Sequence, residues 1–163
     1  MRIPQADDIT KIMDLPLAIA EKIDTSKLVA TRYGFDERQS NYYLEAAEVL
    51  GLISKRAMKY RLTEDGKKYL LMDISERKLT LVRRMVLVPI ITRVIAELMI
   101  KENNTVSKRE LELLIVESSP VKGSTVPRRA QTIISWFRWL SEETDVIQAT
   151  ADAVTLRCSN ALP

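Results

Sequence analysis

The segment from Asp36 to Gly51 constrains the fold more than any other part of the chain, because it carries the start, face and stop signals of one helix. Asp36 is a favoured N-cap residue, and Gln39 follows at the spacing of a capping box. At about 100° per residue, one face of this helix collects the apolar side chains Tyr43, Ala46, Ala47 and Leu50. Gly51 is a typical helix stop. The segment therefore predicts an amphipathic helix.

Weaker signals place further elements around this helix. Apolar spacing predicts a helix over about residues 14–23, and a second helix is expected to begin at Thr25 or Ser26 and to end at Gly34. After Gly51, residues 52–54 and 59–62 read as two strands of a hairpin, and a return helix is expected from residue 65 to about 72. Three helices, a hairpin and a return helix predict a winged helix-turn-helix unit.

The second half of the chain repeats this order. Helices are expected after Ser75, at Pro89, after Ser107 and after Thr125, and a hairpin is expected over residues 146–157. Aligning Ser26 with Ser107, and Leu50 with Leu140, superposes the halves with one loop insertion. The predicted fold class is mainly α with small β-hairpins, as two winged helix-turn-helix units in tandem. The predicted domains are residues 1–74, a linker helix over residues 75–87, and residues 88–163.

Composition excludes several classes of protein. Four glycines among 163 residues disfavour a sandwich or barrel, which needs many tight turns. One cysteine, Cys158, and no histidine leave no internal disulfide, no Cys/His metal site and no histidine general base. Residues 76–78 match a short nuclease element, E-x-K, but a helix is predicted there instead of the strand that this chemistry needs. We therefore expect no enzyme, no cofactor and no metal, and an inert Cys158.

The most apolar stretch, residues 81–100, resembles a membrane span only in its mean composition. It contains Pro89 and the arginines Arg83, Arg84 and Arg93, which argue against a span. The first eight residues lack the apolar segment of a signal peptide. These observations predict buried helices and a cytoplasmic protein.

The start of the Asp36 helix carries the strongest functional signal. In a helix-turn-helix, the first residues of the second helix meet bases or phosphates in the major groove. Arg bonds guanine, and Asn or Gln bonds adenine, in bidentate fashion. The candidate DNA-binding residues here are Arg38, Gln39, Ser40, Asn41 and Tyr42. The alternative interpretation is an ordinary solvated helix face with Gln39 serving as a cap, while Glu45 and Glu48 would limit DNA contact to the first two turns.

Two further groups of basic and polar residues extend the candidate surface. The hairpin residues Lys55, Arg56, Lys59 and Arg61 are expected to grip phosphates, or else to form a solvated edge that discourages aggregation. The helix after Thr125 carries a polar stripe beside Trp136 and Trp139, for which core packing is the preferred interpretation. Its candidate DNA contacts are Arg128, Arg129, Gln131, Ser135 and Arg138.

One stretch resembles a known module. The residues F-D-E-R-Q-S-N-Y-Y over 35–43, then L-G-L over 50–52 and Y-R-L-T-E-D-G over 60–66, resemble a winged-helix module found beside restriction-modification enzymes. The resemblance covers residues 15–72, and its R-Q-x-x-Y-Y part is the discriminating one. It implies that Arg38, Gln39 and Asn41 occupy DNA-reading positions, and it implies a target-recognition or accessory role. The nuclease core of those enzymes has no counterpart in this chain.

Mild basicity, with a net charge of +3, permits DNA binding without demanding it. The leading prediction is a sequence-specific binder of double-stranded DNA, acting as a regulator or a recognition module. The alternative is a protein-interaction module that uses residues 81–100 with Trp136 and Trp139 as its contact surface. In that case its partner is a second copy of the chain or another protein.

Overall fold

The computed structural model describes residues 1–157, which divide into two compact units. The N-terminal unit is Pro4–Met85, and the C-terminal unit is the chain from Val86 onward together with Met1–Ile3. Both units are mainly helical and each contains a small antiparallel sheet, which confirms the coarse fold class. Cys158 and the tail after it lie outside the described residues.

The N-terminal unit contains five helices and one two-stranded sheet within the described chain. In order, its elements are α1 (Ile9–Ala20), α2 (Ser26–Tyr33), α3 (Glu37–Val49), β1 (Ile53–Arg56), β2 (Lys59–Leu62), α4 (Glu64–Leu71) and α5 (Ile74–Met85). The segment expected as a linker helix is therefore α5, and it groups with the N-terminal unit.

Helices α1 and α5 have other boundaries than the sequence-based expectation. Helix α1 begins at Ile9 because the side chain of Asp8 accepts a hydrogen bond from the Lys11 amide, and it ends before Lys22, whose φ of 71° is left-handed. Helix α5 is capped by Asp73 instead of Ser75. The Asp73 carboxylate accepts from the Glu76 amide at 2.9 Å, and the Glu76 carboxylate accepts from the Asp73 amide at 3.0 Å.

The L-G-L and L-T-x-x-G motifs join the hairpin to the helices on either side. The Thr63 hydroxyl donates to the Gly51 carbonyl at 2.6 Å and accepts from the Gly66 amide at 2.9 Å. A Cβ at Gly66 would lie 1.9 Å from the Leu52 carbonyl oxygen, so only glycine fits at this position. Arg84 then bonds the Leu50 carbonyl at 2.9 Å, at the end of α3. These contacts fix the hairpin relative to α3.

The core of the N-terminal unit lies between α1, α3, β1 and the later helices. Its largest fully buried side chains include Ile12, Leu15, Leu44, Leu50, Leu52 and Tyr69. Two further tyrosines are anchored at the edge of this core, with the hydroxyl of Tyr33 donating to Asp14 and that of Tyr43 donating to Asp7. Burial and these hydrogen bonds raise the pKa of both hydroxyls.

The C-terminal unit has the order helix, strand, helix, helix, hairpin. Its elements are α6 (Pro89–Ile100), β3 (Thr105–Ser107), α7 (Lys108–Ser118), α8 (Thr125–Glu143), β4 (Ile147–Ala149) and β5 (Ala153–Leu156). The strands form one antiparallel sheet in the order β3-β5-β4. The sequence analysis predicted the β4–β5 hairpin but not β3, because three residues are too few for a visible alternation.

Caps in the C-terminal unit agree in part with the sequence analysis. Pro89 is the first residue of α6, as predicted. Ser107 and Glu110 form a complete capping box at the start of α7. Helix α8, however, is preceded by Ser124 as its N-cap, without a side-chain hydrogen bond, and the predicted cap Thr125 is its first residue. The apolar face of α8 is buried as expected, with Trp136 at 0% exposure.

Candidate nucleic-acid interface

Helices α2 and α3 are joined by a tight turn that the sequence specifies closely. Gly34 takes a left-handed φ of 67° at the end of α2, and the Phe35 amide bonds the Ala30 carbonyl at 2.9 Å. Asp36 then caps α3 by accepting from the Gln39 amide at 2.7 Å. The predicted reciprocal bond from the Gln39 side chain does not form within residues 1–157. The Gln39 side chain is exposed, and its amide group has no hydrogen-bond partner in the described part of the chain.

The outward face of α3 begins with Arg38, Asn41 and Tyr42, as the periodicity predicts. Arg38 and Asn41 are exposed, and Tyr42 is half-buried. The Arg38 Nε donates to the Tyr42 hydroxyl, and the guanidinium carbon lies 5.7 Å from the centre of the Tyr42 ring. The two terminal nitrogens of Arg38 have no partner in the described part of the chain. Tyr42 thus orients Arg38 and leaves its bidentate donor pair directed outward.

Ser40 does not belong to this outward face. Its side chain is fully buried, and its Oγ lies 2.8 Å from both the Oγ and the carbonyl oxygen of Ser26, and 2.9 Å from the Glu37 carbonyl. Ser40, one of the candidate DNA-binding residues, is therefore absent from the exposed surface of α3. Its hydroxyl joins α2 to α3 instead, because a position two residues after Arg38 faces the neighbouring helix.

Two of the three acidic residues of α3 lie farther along the same helix. Glu45 is half-exposed, and Glu48 accepts from the Lys55 backbone amide at 3.0 Å. This hydrogen bond from the Lys55 amide to Glu48 holds the first strand of the hairpin against α3. Glu37 is exposed in the first turn, directly before Arg38, and Glu45 and Glu48 lie two to three turns farther along. The segment from Arg38 to Tyr42 is therefore flanked by carboxylates on both sides.

The β1–β2 hairpin carries its basic residues mainly on one face. The register pairs Ser54 with Arg61 and Arg56 with Lys59, and residues paired directly across a hairpin point to the same side. Arg56, Lys59 and Arg61 therefore share the outer face. Lys55 lies on the other side, 5.5 Å from the ring centre of the buried Tyr60.

This basic face is electrostatically unfavourable unless an anion compensates it. Arg56 and Lys59 stand directly opposite each other, an arrangement of like charges that destabilises a hairpin. Lys59 is compensated in part by Asp24, whose carboxylate lies 3.2 Å away. Arg56 and Arg61 have no such partner among residues 1–157.

In the C-terminal unit, the polar stripe of α8 is present, but Arg129, the further candidate DNA contact beside it, is turned inward. Arg128, Gln131 and Arg138 are exposed, and Ser135 is half-buried with its hydroxyl bonded to the Gln131 carbonyl at 3.1 Å. Arg129 is half-buried instead, and its guanidinium donates to the Ile3 carbonyl at 2.6 Å. Arg129 thus anchors the first residues of the chain and lies apart from the stripe.

One neighbour of this stripe was not predicted from the sequence. Lys108 is the first residue of α7, and its Nζ lies 3.4 Å from the Gln131 Oε1. The position of Lys108 directly after a predicted helix cap was visible in the sequence. Its proximity to α8 was not, because it depends on how α7 packs against α8.

Other candidate features have structural explanations. Glu76, from the E-x-K match, lies on α5 as predicted, where its carboxylate caps the helix. Within residues 1–157, no group of three or more His, Cys, Asp or Glu side chains is arranged to hold a metal ion. No helix in that part of the chain combines the length and apolarity needed to cross a membrane.

The surface expected for protein contacts is buried only in part. Six residues of the 81–100 segment have at most 1% exposure: Leu81, Met85, Ile90, Ile91, Val94 and Leu98. Leu87, Met99 and Ile100 remain exposed. Trp136 is a core residue, as preferred from the sequence, and Trp139 is half-buried.

Comparison with known proteins identifies the family. Residues 11–145 match the family described as a domain of unknown function, DUF7226, and the chain belongs to it. The match extends from α1 through α8 and so includes helices of both units. No curated protein and no solved structure matches the chain.

Proposed function

We propose that this protein binds double-stranded DNA in a sequence-specific manner and that it consists of two winged-helix units in tandem. The observation that carries the proposal is the pairing of Arg38 and Asn41 on the outer face of α3, beside a hairpin with three basic residues on one face. The contacts of Tyr42, Glu48 and Thr63 support it, because they hold these groups in fixed positions.

The order of elements supports the winged-helix interpretation. In the N-terminal unit, α1, α2 and α3 precede the β1–β2 hairpin, and the Asp24 carbonyl before α2 accepts from the Tyr60 amide of the hairpin at 2.7 Å. In the C-terminal unit, β3 occupies the place before α7 and pairs with β5. In both units the segment before the second of these helices is bonded to the hairpin, by strand pairing in the C-terminal unit and by one backbone hydrogen bond in the N-terminal unit.

The chemistry of α3 favours base reading over phosphate contact alone. Terminal guanidinium nitrogens of Arg fit the O6 and N7 acceptors of guanine, and the carboxamide of Asn fits the N6 and N7 groups of adenine. The hairpin cations Arg56, Lys59 and Arg61 then contact phosphates and fix the register of α3 without specifying sequence. Exposed Gln39 is available as a further contact near the helix start.

The R-Q-x-x-Y-Y segment resembles a winged-helix module found beside restriction-modification enzymes, and from this resemblance we propose a biological role for the DNA binding. The protein would recognise a target for a restriction-modification system or a related DNA-processing system, or it would act as a transcriptional regulator. In either role the chain supplies recognition, and no catalytic step is assigned to it.

Selection from a pool of random duplexes, followed by affinity measurement at several salt concentrations, tests the proposal. The double variant Arg38→Ala/Asn41→Ala should lose roughly 1–3 kcal/mol of binding per lost base contact. Lys68→Ala is a charge-matched control, since it removes one exposed cation from α4. Equal affinity of the double variant and the wild type for the selected duplex would contradict the assignment of α3.

A protein-interaction module is the second candidate, and the exposed side chains of Met99 and Ile100 at the end of α6 favour it. They would supply the contact surface, as a homodimer or with another protein. Sedimentation of the chain without DNA tests this reading. A concentration-dependent dimer that is lost on Met99→Ser/Ile100→Ser, combined with no DNA binding, would replace the first proposal with the second.

A further inference from the structure

Helices α3 and α8 correspond residue by residue when their numbers are shifted by 90. The shift is the one that places Leu50 on Leu140. The buried residues of α3 and the residue that ends it are Ser40, Tyr43, Leu44, Ala46, Ala47 and Leu50. Their counterparts are also buried: Ala130, Ile133, Ile134, Trp136, Phe137 and Leu140. Both helices therefore present the same angular sector to their own unit.

The outward residues correspond as well. Arg38 falls on Arg128, and Asn41 falls on Gln131, and all four side chains are exposed. Each pair retains the chemistry of the first helix, with a guanidinium followed three residues later by a carboxamide. These are the two side-chain types that read guanine and adenine. The two helices therefore carry the same two side-chain types at corresponding exposed positions.

The helices differ in charge beyond the second turn. Glu45 and Glu48 of α3 correspond to Ser135 and Arg138 of α8, so α8 carries no acidic residue before Glu142. From Arg128 to Arg138, α8 rises about 15 Å at 1.5 Å per residue. An α-helix fits the major groove, and no carboxylate on this stretch of α8 would repel the flanking phosphates.

A further cation lies beside the α8 face. The Lys108 Nζ is 3.4 Å from the Gln131 Oε1 and comes from the start of α7, while Arg109 beside it is exposed. In the hairpin that follows α8, by contrast, β4 and β5 contain no Lys or Arg. The strands of the C-terminal hairpin therefore carry no positive charge, whereas those of the N-terminal hairpin do.

We propose that α8 is a second DNA-reading helix, with Arg128 and Gln131 contacting bases and with Lys108 and Arg138 contacting phosphates. This inference rests on the proposed DNA binding by the N-terminal unit. The chain then recognises a bipartite duplex site, one part read by α3 and the other by α8. An ordinary solvated face is the competing explanation of the same residues.

Parallel selections from random duplexes test the inference with the full chain. The variants are Arg128→Ala/Gln131→Ala, Arg38→Ala/Asn41→Ala, and Arg128→Lys, which keeps the charge but loses the bidentate fork. Tryptophan fluorescence of Trp136 and Trp139 verifies that the C-terminal unit remains folded, and the substituted side chains are exposed.

The wild type should select a site with two conserved parts. Arg128→Ala/Gln131→Ala should lose base preference in one part and at least tenfold in affinity, and Arg38→Ala/Asn41→Ala should lose preference in the other part. Arg128→Lys should retain salt-dependent affinity but lose preference at one base. If the α8 variants select the wild-type site with unchanged affinity while the α3 variant does not, the second reading helix is refuted and the proposed function stands. If the wild type binds no duplex, both are wrong.

Discussion

Replacing Ser40 with alanine should destabilise the N-terminal unit without changing which DNA sequence the protein prefers. The Ser40 side chain is 0% exposed, and its Oγ lies within 2.9 Å of two carbonyl oxygens and of the Ser26 hydroxyl. One hydroxyl proton serves one carbonyl, and the oxygen accepts one further bond. Losing both bonds costs about 1–3 kcal/mol. Because alanine has the better helix propensity, the substitution also stabilises α3 by about 0.5 kcal/mol. The free energy of unfolding should therefore fall by about 1–2 kcal/mol.

The assay exploits an unequal distribution of aromatic residues. All five tyrosines lie in the N-terminal unit, and both tryptophans lie in the C-terminal unit. Tyrosine circular dichroism therefore follows unfolding of the N-terminal unit, while tryptophan fluorescence follows the C-terminal unit. For a unit of this size, about 1 kcal/mol shifts Tm by roughly 4–8 °C. Ser40→Ala should lower the tyrosine-monitored Tm by that amount or more.

Asn41→Ala is the matched control, since it alters the adjacent position on the exposed face of α3. It should change stability by less than about 0.5 kcal/mol, as surface substitutions do, while it weakens sequence-specific binding. The reasoning is refuted if Ser40→Ala and Asn41→Ala unfold at the same temperature. It is also refuted if Ser40→Ala alters the selected DNA sequence, because that would return Ser40 to the DNA surface.

Three further substitutions test the account. Ala57→Gly should stabilise the N-terminal unit by about 0.5 kcal/mol in urea unfolding, because Ala57 has a φ of 54° at the first central position of the hairpin turn, where glycine is favoured. Hydrogen bonds from Lys101 and Ser107 lower the pKa of Glu110 to about 2, so its stabilising effect is present above about pH 4.5 and is lost as pH falls toward 2. Glu110→Gln should therefore flatten the acid side of the tryptophan-monitored stability profile, and an unchanged profile would contradict this. Tyr42→Phe removes the hydroxyl that holds Arg38 and should weaken binding to the selected duplex by roughly 0.5–1.5 kcal/mol, leaving binding to a scrambled duplex unchanged.

The sequence predicted the elements around α3 best, because several local signals coincide there. Asp36 as cap, Gly34 and Gly51 as stops, and the burial of Tyr43 and Leu50 follow from spacing and side-chain type alone. The caps at Asp73 and Ser124 were predicted wrongly, since Ser75 and Thr125 are equally suitable residue types one or two positions away. Which of two neighbouring candidates caps a helix is decided by the backbone geometry of the folded chain.

The sequence predicted which residues belong to the candidate site better than it predicted the direction in which their side chains point. Periodicity separated Arg38 and Asn41 from the buried face, yet it did not show that Ser40 turns toward Ser26. Nor did it show that Arg129 bonds the Ile3 carbonyl. Both facts depend on contacts between residues distant in sequence, which local patterns do not encode. The sorting of Arg56, Lys59 and Arg61 onto one face likewise required the register of the hairpin.

The salt dependence of affinity for a selected duplex tests the central claim most directly. Three hairpin cations on phosphates predict that the logarithm of the binding constant falls with the logarithm of salt concentration with a slope of about −3 or steeper. The selected duplex should retain its advantage over a scrambled duplex at each salt concentration, and Arg38→Ala/Asn41→Ala should abolish that advantage. A slope near zero, or equal affinity of the wild type for both duplexes, would contradict sequence-specific DNA binding by this protein.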